Sequence, residues 1–415
     1  MLIFFITAAL LTIPLSYVYN SITLILFVLY TFLSYSKQNI KIYKPLLPLI
    51  ALFLLMALSL AWSVDFKATL KALSREAPLL FIPVAFFFNQ QLSRKAVGKI
   101  LENYTLGITL FSLYLLGRAF WRYSGGAGTD VFFYHELATN YINAIYLSVV
   151  VSMALMYLIC KKRKTFWSYG MLLFLFVFIL LLSSKLIIIT NILLIVVYYI
   201  FYSGMAVRGR IAAVLLLFVI TGVFGYYGKV RERINTELTY NENAKMQDGV
   251  HKVTLKGAWS RTNFNANDYF NGTALRLYQI RIFGEMLQED PVLFTGYGLN
   301  ASCHKIEEQG VEHNLVHGSE EGILYNKLNF HNQYIQAFAD LGIFGFIIII
   351  IMLLVNLKNG FSKKDFVHIA FAIVMISLFL TESFLWRQRG VVFFTMFYCI
   401  FNTALLPGTT DKRKI

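Results

Sequence analysis

Cysteine is scarce, with only Cys160, Cys303 and Cys399 in 415 residues. None stands in a CxxC pair or at a metal-ligand spacing, so the sequence offers no redox dithiol and no cysteine metal centre. Two of the three are expected in or beside apolar helices and one in an outer polar stretch, so no intramolecular disulfide is expected. A Walker loop, a GxGxxG with a following acid and an HExxH are all missing, which leaves ATP-driven, redox and zinc-hydrolase chemistry without support. No repeat of about 20–50 residues is present, which excludes tandem arrays. The first residues, "MLIFFITAALLTIPLSY", lack a basic leading region and an A-x-A cleavage site, and read as a retained first helix.

What the chain has in abundance is apolar surface. Hydrophobic residues make up 58% and aromatics 16%, and the mean hydropathy is +0.62. A soluble domain is about 45–50% apolar, so this composition belongs to a polytopic membrane protein. About twelve segments can cross some 30 Å of hydrocarbon alone or with tilt. They lie near residues 2–18, 21–36, 45–62, 77–89, 103–120, 140–160, 166–183, 186–203, 211–227, 333–356, 366–385 and 390–406. Pro78 and Pro83 fall in the shortest of them. Backbone groups in lipid must be satisfied within a segment, so the expected fold is an all-α integral membrane protein.

The net charge of +15 is unevenly placed. With the N-terminus inside, the alternate loops "SKQNIKIYK", "QQLSRKAVGK", "KKRK", "VRGR", "LKNGFSKKD" and "DKRKI" hold 18 of the 37 Lys and Arg residues, opposed only by Glu102, Asp365 and Asp411. The rest of the chain balances. The excess is therefore a positive-inside signal, both termini are expected in the cytoplasm, and no nucleic-acid partner is needed to explain it.

Three regions follow: N-terminal membrane helices over 1–227, a large outer loop over 228–332, and C-terminal membrane helices with a short tail over 333–415. The loop carries 13 of the 22 acids and 11 basic residues, so it faces water. A connection of this length is functional or disordered. Within it "TALRLYQIRIFGEMLQEDP" predicts a helix stopped by Pro291, and "PVLFTGYGLN" places Gly296 and Gly298 at turns. The polar, aperiodic "NTELTYNENAKMQDGVHK" predicts a mobile stretch.

Candidate functional residues gather at outer helix ends. In "LNFHNQYIQAFADLGIFG", Asn332 is a candidate N-cap, and His331 beside a helix N-terminus is placed where a neutral base is favoured. Asp340 lies two turns further in, where a charge needs a partner or a wet cavity; Gly342 and Gly345 read as close-packing positions. Arg276 shares a helix face with Ile280 and Phe283, and its guanidinium is suited to bidentate phosphate binding. Arg281 points about 140° away from Arg276 and can pair with Glu285 one turn on. Lys185 interrupts an apolar run and sits at an outer turn. Arg118 and Arg122 share one face at another outer helix end, near His135 and Glu136, while Arg387 and Arg389 lie near Glu382. The alternative role for these arginines is interfacial anchoring beside Trp121 and Trp386. "NGT" at 271–273 is read as a chance sequon.

"FHNQYIQAFADLGIFG" resembles the outer-loop signature of the O-antigen ligase and polymerase superfamily of bacterial envelope glycosyltransferases. Arg276 with the run to "EDPVLFTGYG" is similar to a second signature of that family. Two departures stand out: Ile280 replaces a usual Trp, and Lys185 in "SSK" replaces the arginine of a usual Ser-Arg. The resemblance implies transfer of a glycan from undecaprenyl diphosphate to lipid A-core at the periplasmic face of the bacterial inner membrane, with no nucleotide, metal or other cofactor. It implies His331 and Arg276 as catalytic residues, with Lys185 and Asn332 beside them; Arg281, Arg118 and Arg122 are candidates for holding substrate from their own positions at outer helix ends. A polymerase, which shares the donor, is the alternative; a lipid-linked glycan flippase is the alternative from another class.

Overall fold

The computed structural model describes residues 1–37, 40–89, 91–227, 251–315 and 324–405. The polar stretch expected to be mobile falls, but for its last two residues, outside these, as does the "DKRKI" tail.

Helices dominate. They are α1 (Leu2–Leu11), α2 (Tyr17–Leu33), α3 (Leu47–Leu58), α4 (Phe66–Glu76), α5 (Pro78–Phe88), α6 (Arg94–Ser124), α7 (Tyr134–Leu137), α8 (Ala144–Cys160), α9 (Phe166–Leu181), α10 (Lys185–Val197) and α11 (Val207–Tyr227). After α12 (Leu255–Ser260), α13 (Gly272–Glu289) and α14 (Ser302–Glu312) come α15 (Gln333–Ser362), α16 (Phe366–Phe379) and α17 (Gln388–Thr403). Four stretches, Lys44–Ala61, Arg94–Ser124, Lys185–Tyr202 and Gln333–Ser362, are long and apolar enough to cross a membrane. Other apolar helices are shorter: α1 ends ahead of Pro14 after ten residues, about 15 Å, half a hydrocarbon core. The expectation of a first span over 2–18 is thereby corrected, since Pro14 cannot continue a helix.

Burial sorts the helices. Every residue of α17 from Arg389 to Thr403 is buried, and nearly all of α8 and most of α16 are too. A helix that is apolar all round belongs at the centre, and these three fill it. α2 and α11 keep exposed apolar residues such as Ile25, Leu29, Leu216 and Val219, the pattern of a lipid-facing rim.

The segment between α11 and α15 has a core of its own, built on Phe264, Phe270, Tyr278, Tyr325 and Phe330. Two short parallel strands, β1 (His251–Lys252) and β2 (Asp268–Tyr269), pair beside it. The helix expected around Arg276 is present as α13, capped by the Asn271 side chain, which accepts from the Thr273 and Ala274 N–H groups. The sequon asparagine is thus a buried cap, 7% exposed. The three cysteines are free.

One long helix is broken. Gly342, inside α15, has φ +66 and ψ −165, a conformation that only glycine adopts readily. The loop before α14 enters the break. Tyr297 and Gly298 donate to the Ala339 and Asp340 carbonyls, each at 2.9 Å, and Ile343 donates to the Leu293 carbonyl at 2.9 Å. A Cβ on Gly342 would collide with the Phe294 carbonyl. The packing role expected of Gly342 is therefore corrected: it makes room for a crossing backbone. Gly296 and Gly298, with φ +66 and +101, turn as their spacing indicated.

Candidate active site at the outer helix ends

Loop 380–385 lies against the start of α15, and the amide side chains there hold it. Asn332 caps its own helix, accepting from the Tyr334 and Ile335 N–H groups, and donates through Nδ2 to the Leu380 carbonyl at 3.2 Å. The Asn332 N–H donates to Ser383 Oγ at 3.2 Å, the Leu385 N–H donates to Gln333 Oε1 at 2.7 Å, and Ser383 Oγ donates to Gln336 Oε1 at 3.4 Å. These bonds fix the height of one acid between them, Glu382.

Glu382 is shared. Its Oε2 stands 3.7 Å from His331 Nδ1, and its Oε1 stands 3.4 Å from Arg276 Nη2. Burial favours its neutral form, but the facing His331, Arg276 and Arg387 outweigh this and hold the carboxyl below the ordinary glutamate range. With Nδ1 turned to the acid, Nε2 is the nitrogen of His331 left for a ligand. The sequence placed His331 in the field of a helix end alone. The structure adds a carboxylate to that field, and the Asn332 side chain takes two of the N–H groups that create it.

Arg276 is anchored before it meets any ligand. Its Nε donates to the Thr381 carbonyl at 2.9 Å and its Nη1 to the Gly272 carbonyl at 3.0 Å. Of the five guanidinium N–H groups, these two and the one facing Glu382 are committed. One remains on each terminal nitrogen, enough for two parallel bonds to an anion.

His331, Arg276 and Lys185 line one cavity of about 660 Å³. Lys185 is the first residue of α10, whose N-cap Ser184 makes no side-chain cap bond. The cavity thus carries two cationic side chains on its wall, an arrangement that favours an anion. Tyr134, Tyr269, Thr273 and Thr381 line it as well.

Three further candidates lie off the cavity wall, and Asn332 acts from behind it. Arg281 Nε donates to Glu285 Oε1 at 2.8 Å, the pairing its spacing indicated, and its Nη1 donates to the Arg261 carbonyl at 2.6 Å. Glu285 also meets His313 Nε2 at 2.9 Å, so Arg281 belongs to the frame of the outer segment. Arg118 donates to the Glu136, Leu137 and Ala138 carbonyls, and Arg122 bonds the Glu136 carbonyl at 2.8 Å and its carboxylate at 2.5 Å. Both arginines hold the short segment that begins at Tyr134. Arg389 is buried, with its guanidinium carbon 4.0 Å from the Tyr17 ring centroid and Nη2 donating to the Leu15 carbonyl at 2.7 Å. The reading of Arg389 as an interfacial anchor is corrected by that burial.

Asp340 meets no basic partner in hydrogen-bonding contact. Its oxygens accept from Ser302 Oγ at 2.5 Å and Gln336 Nε2 at 3.1 Å. Beside it is a void of about 20 Å³, lined also by Arg75 and Glu76. A void that size holds one water.

Glu382 was missed by sequence reasoning as a site member. Its only signal is an acid close to the end of the span expected over 366–385, which resembles a charge at any helix end.

No curated protein matches the chain. Residues 169–350, the stretch running from α9 into α15 that carries Lys185, Arg276 and His331, match the family model described as O-antigen ligase, and it is to the O-antigen ligase superfamily that this chain is similar.

Proposed function

We propose that the protein is an O-antigen ligase-type glycosyltransferase that moves a glycan from undecaprenyl diphosphate to lipid A-core. The observation that carries this is the convergence of His331, Arg276 and Lys185 on one cavity from three separate elements. A base beside a two-cation anion site is what displacement at an anomeric carbon with diphosphate departure requires.

In this reading, His331 Nε2 takes the proton of the acceptor hydroxyl as its oxygen bonds to the anomeric carbon. The bond from that carbon to the diphosphate oxygen breaks, and undecaprenyl diphosphate leaves with the bonding pair. Glu382 steadies the imidazolium that forms, as the acid of a catalytic triad does. Arg276 and Lys185 stabilise the charge gathering on the leaving diphosphate. The excess of basic residues on the opposite loops supports a periplasmic site.

A flippase reading has less support. The break in α15, the kind of feature that forms ion sites in transporters, is filled by the protein's own loop 292–300, and its Ala339 and Asp340 carbonyls are satisfied there.

Deleting the gene and resolving cell-surface polysaccharide on a gel tests the proposal. Loss of all lipid A-linked polymer, with carrier-linked polymer still made, is the expected result. Retention of a single attached repeat would instead identify a polymerase, which acts on the same donor. A reporter fused within 228–332 is expected to be periplasmic, and its appearance in the cytoplasm would overturn the site assignment.

A further inference from the structure

Among the described residues, six non-glycine positions have positive φ: Tyr134, Ser183, Asn300, Asn314, His331 and Lys364. Asparagine tolerates this region, and Lys364 follows the C-cap of α15, where left-handed residues are common. The remaining three, Tyr134 at +48, Ser183 at +53 and His331 at +45, all line the same cavity. For a bulky residue such a backbone is strained and persists only where the surroundings impose it. Ser183 shapes the turn that presents Lys185, and His331 is the base. Tyr134 alone has no part in the chemistry.

The surroundings that impose its conformation are visible. Arg118 and Arg122 grip the carbonyls of residues 136–138, the Ala138 N–H bonds back to the Tyr134 carbonyl at 3.3 Å, and Val131 behind is buried. His135, whose ring centroid lies 3.8 Å from that of Tyr134, is itself tied by Nδ1 accepting from the Ala144 N–H at 3.3 Å. Two arginines thus act through a carbonyl frame to hold one tyrosine, half-buried, at the wall of the anion-binding cavity.

We infer that Tyr134 is a sugar-binding platform that seats one hexopyranose ring of the glycan substrate beside the diphosphate site. The inference rests on the proposed glycosyl transfer and names the chemistry of its substrate. A pyranose has an apolar C–H face that packs on an aromatic ring and a rim of hydroxyls that needs partners. The Tyr134 ring supplies the first, and the Thr381 side chain lines the same space for the second. The other aromatic rings on the wall include Phe270 and Tyr325, each 3% exposed and packed into the outer core with centroids 5.2 Å apart. Tyr269 is the second half-buried ring and extends the platform.

The test uses the detergent-solubilised full chain with two separate probes. Saturation-transfer NMR with methyl glucopyranoside and methyl N-acetylglucosaminide reads the sugar site, and calorimetric titration with farnesyl diphosphate reads the anion site. The wild type is expected to give a sugar signal that falls at least about fivefold in Tyr134→Ala and survives in Tyr134→Phe, while farnesyl diphosphate binds wild type and Tyr134→Ala within about twofold. Retained diphosphate binding shows that the variant is folded. An equal sugar signal in Tyr134→Ala, or none in the wild type, overturns the platform and leaves the transferase reading standing. Failure of the wild type to bind farnesyl diphosphate, with the sugar signal behaving as stated, counts against the transferase reading alone.

Discussion

Glu382 stands between His331 and Arg276, with one carboxylate oxygen 3.7 Å from the imidazole Nδ1 and the other 3.4 Å from the guanidinium Nη2. Replacing it by Gln keeps the shape and removes the charge that orients the ring and supports the imidazolium. Transfer by Glu382→Gln is expected to fall about 10²-fold, with the pH–rate profile displaced, while Glu382→Asp retains a measurable part. A rate and profile equal to wild type would reduce Glu382 to a structural partner of Arg276.

His331→Ala is expected to lower transfer by about 10²–10⁴-fold, the usual worth of a general base, in membranes holding equal protein. His331→Gln separates positioning from proton transfer, because an amide can hydrogen-bond but cannot take the proton. Normal transfer by His331→Gln would remove the base assignment.

The anion site makes a directional prediction for its cations. Arg276→Lys is expected to lose most activity, since an ammonium cannot replace both the Thr381 and Gly272 anchors and the two remaining donors. Lys185→Arg is expected to be tolerated and Lys185→Ala impaired, with weaker farnesyl diphosphate binding by calorimetry. Undiminished binding in Lys185→Ala would return that lysine to a solvating role at the helix turn.

Glu76 couples stability to pH. Its side chain is 1% exposed, Oε2 has no hydrogen-bond partner, and Oε1 takes Arg75 Nε at 3.2 Å. Burial raises its pKa from 4.5 to about 7 against the pull of Arg75, with Asp340 adding to the rise. The folded state therefore holds this proton more tightly than the unfolded state. The contribution is fully present below about 4.5 and is lost as pH climbs to about 7, an effect of about 3 kcal/mol. Melting temperature in detergent is expected to fall between pH 5 and 8, and Glu76→Gln to flatten that slope. The same slope in both proteins would show that Glu76 does not carry it.

Gly342→Ala is expected to reduce the yield of folded protein sharply, because the added Cβ meets the Phe294 carbonyl in a backbone region that alanine avoids. Gly170→Ala, where the added atom meets nothing within 4 Å, is the matched control. Equal melting temperatures for the two variants would show that the break can close.

Legibility in the sequence followed the range of the interaction. Apolar runs announced the helices because backbone satisfaction in lipid is local, and the Arg276 helix showed its periodicity and its Pro291 stop. Glycine at 342 was misread because a small residue in an apolar helix usually signals close packing, and only the crossing loop reveals the break. Glu382 was missed because its meaning comes from Arg276, 106 residues away. Asn332, Gln333 and Gln336 advertised hydrogen bonding at the start of α15, but their partners in loop 380–385 had no local signature. Arg118 and Arg122 were legible as a pair on one helix face, whereas the carbonyls they hold depend on how residues 134–138 turn.

The loop that fills the break in α15 also ties together parts of the chain made at very different times. Thr69 Oγ1 donates to the Leu299 carbonyl across 230 positions, and the Leu299 N–H donates to Ser59 Oγ across 240. During synthesis the 59–69 stretch must therefore be inserted and wait while more than half of the polypeptide is still being translated. Contacts of such high sequence separation form late and slowly. Until α15 is made, the Tyr297 and Gly298 N–H groups have no Ala339 and Asp340 carbonyls to donate to. A chain released short of α15 would carry Arg276 without loop 380–385, whose Thr381 carbonyl anchors its guanidinium.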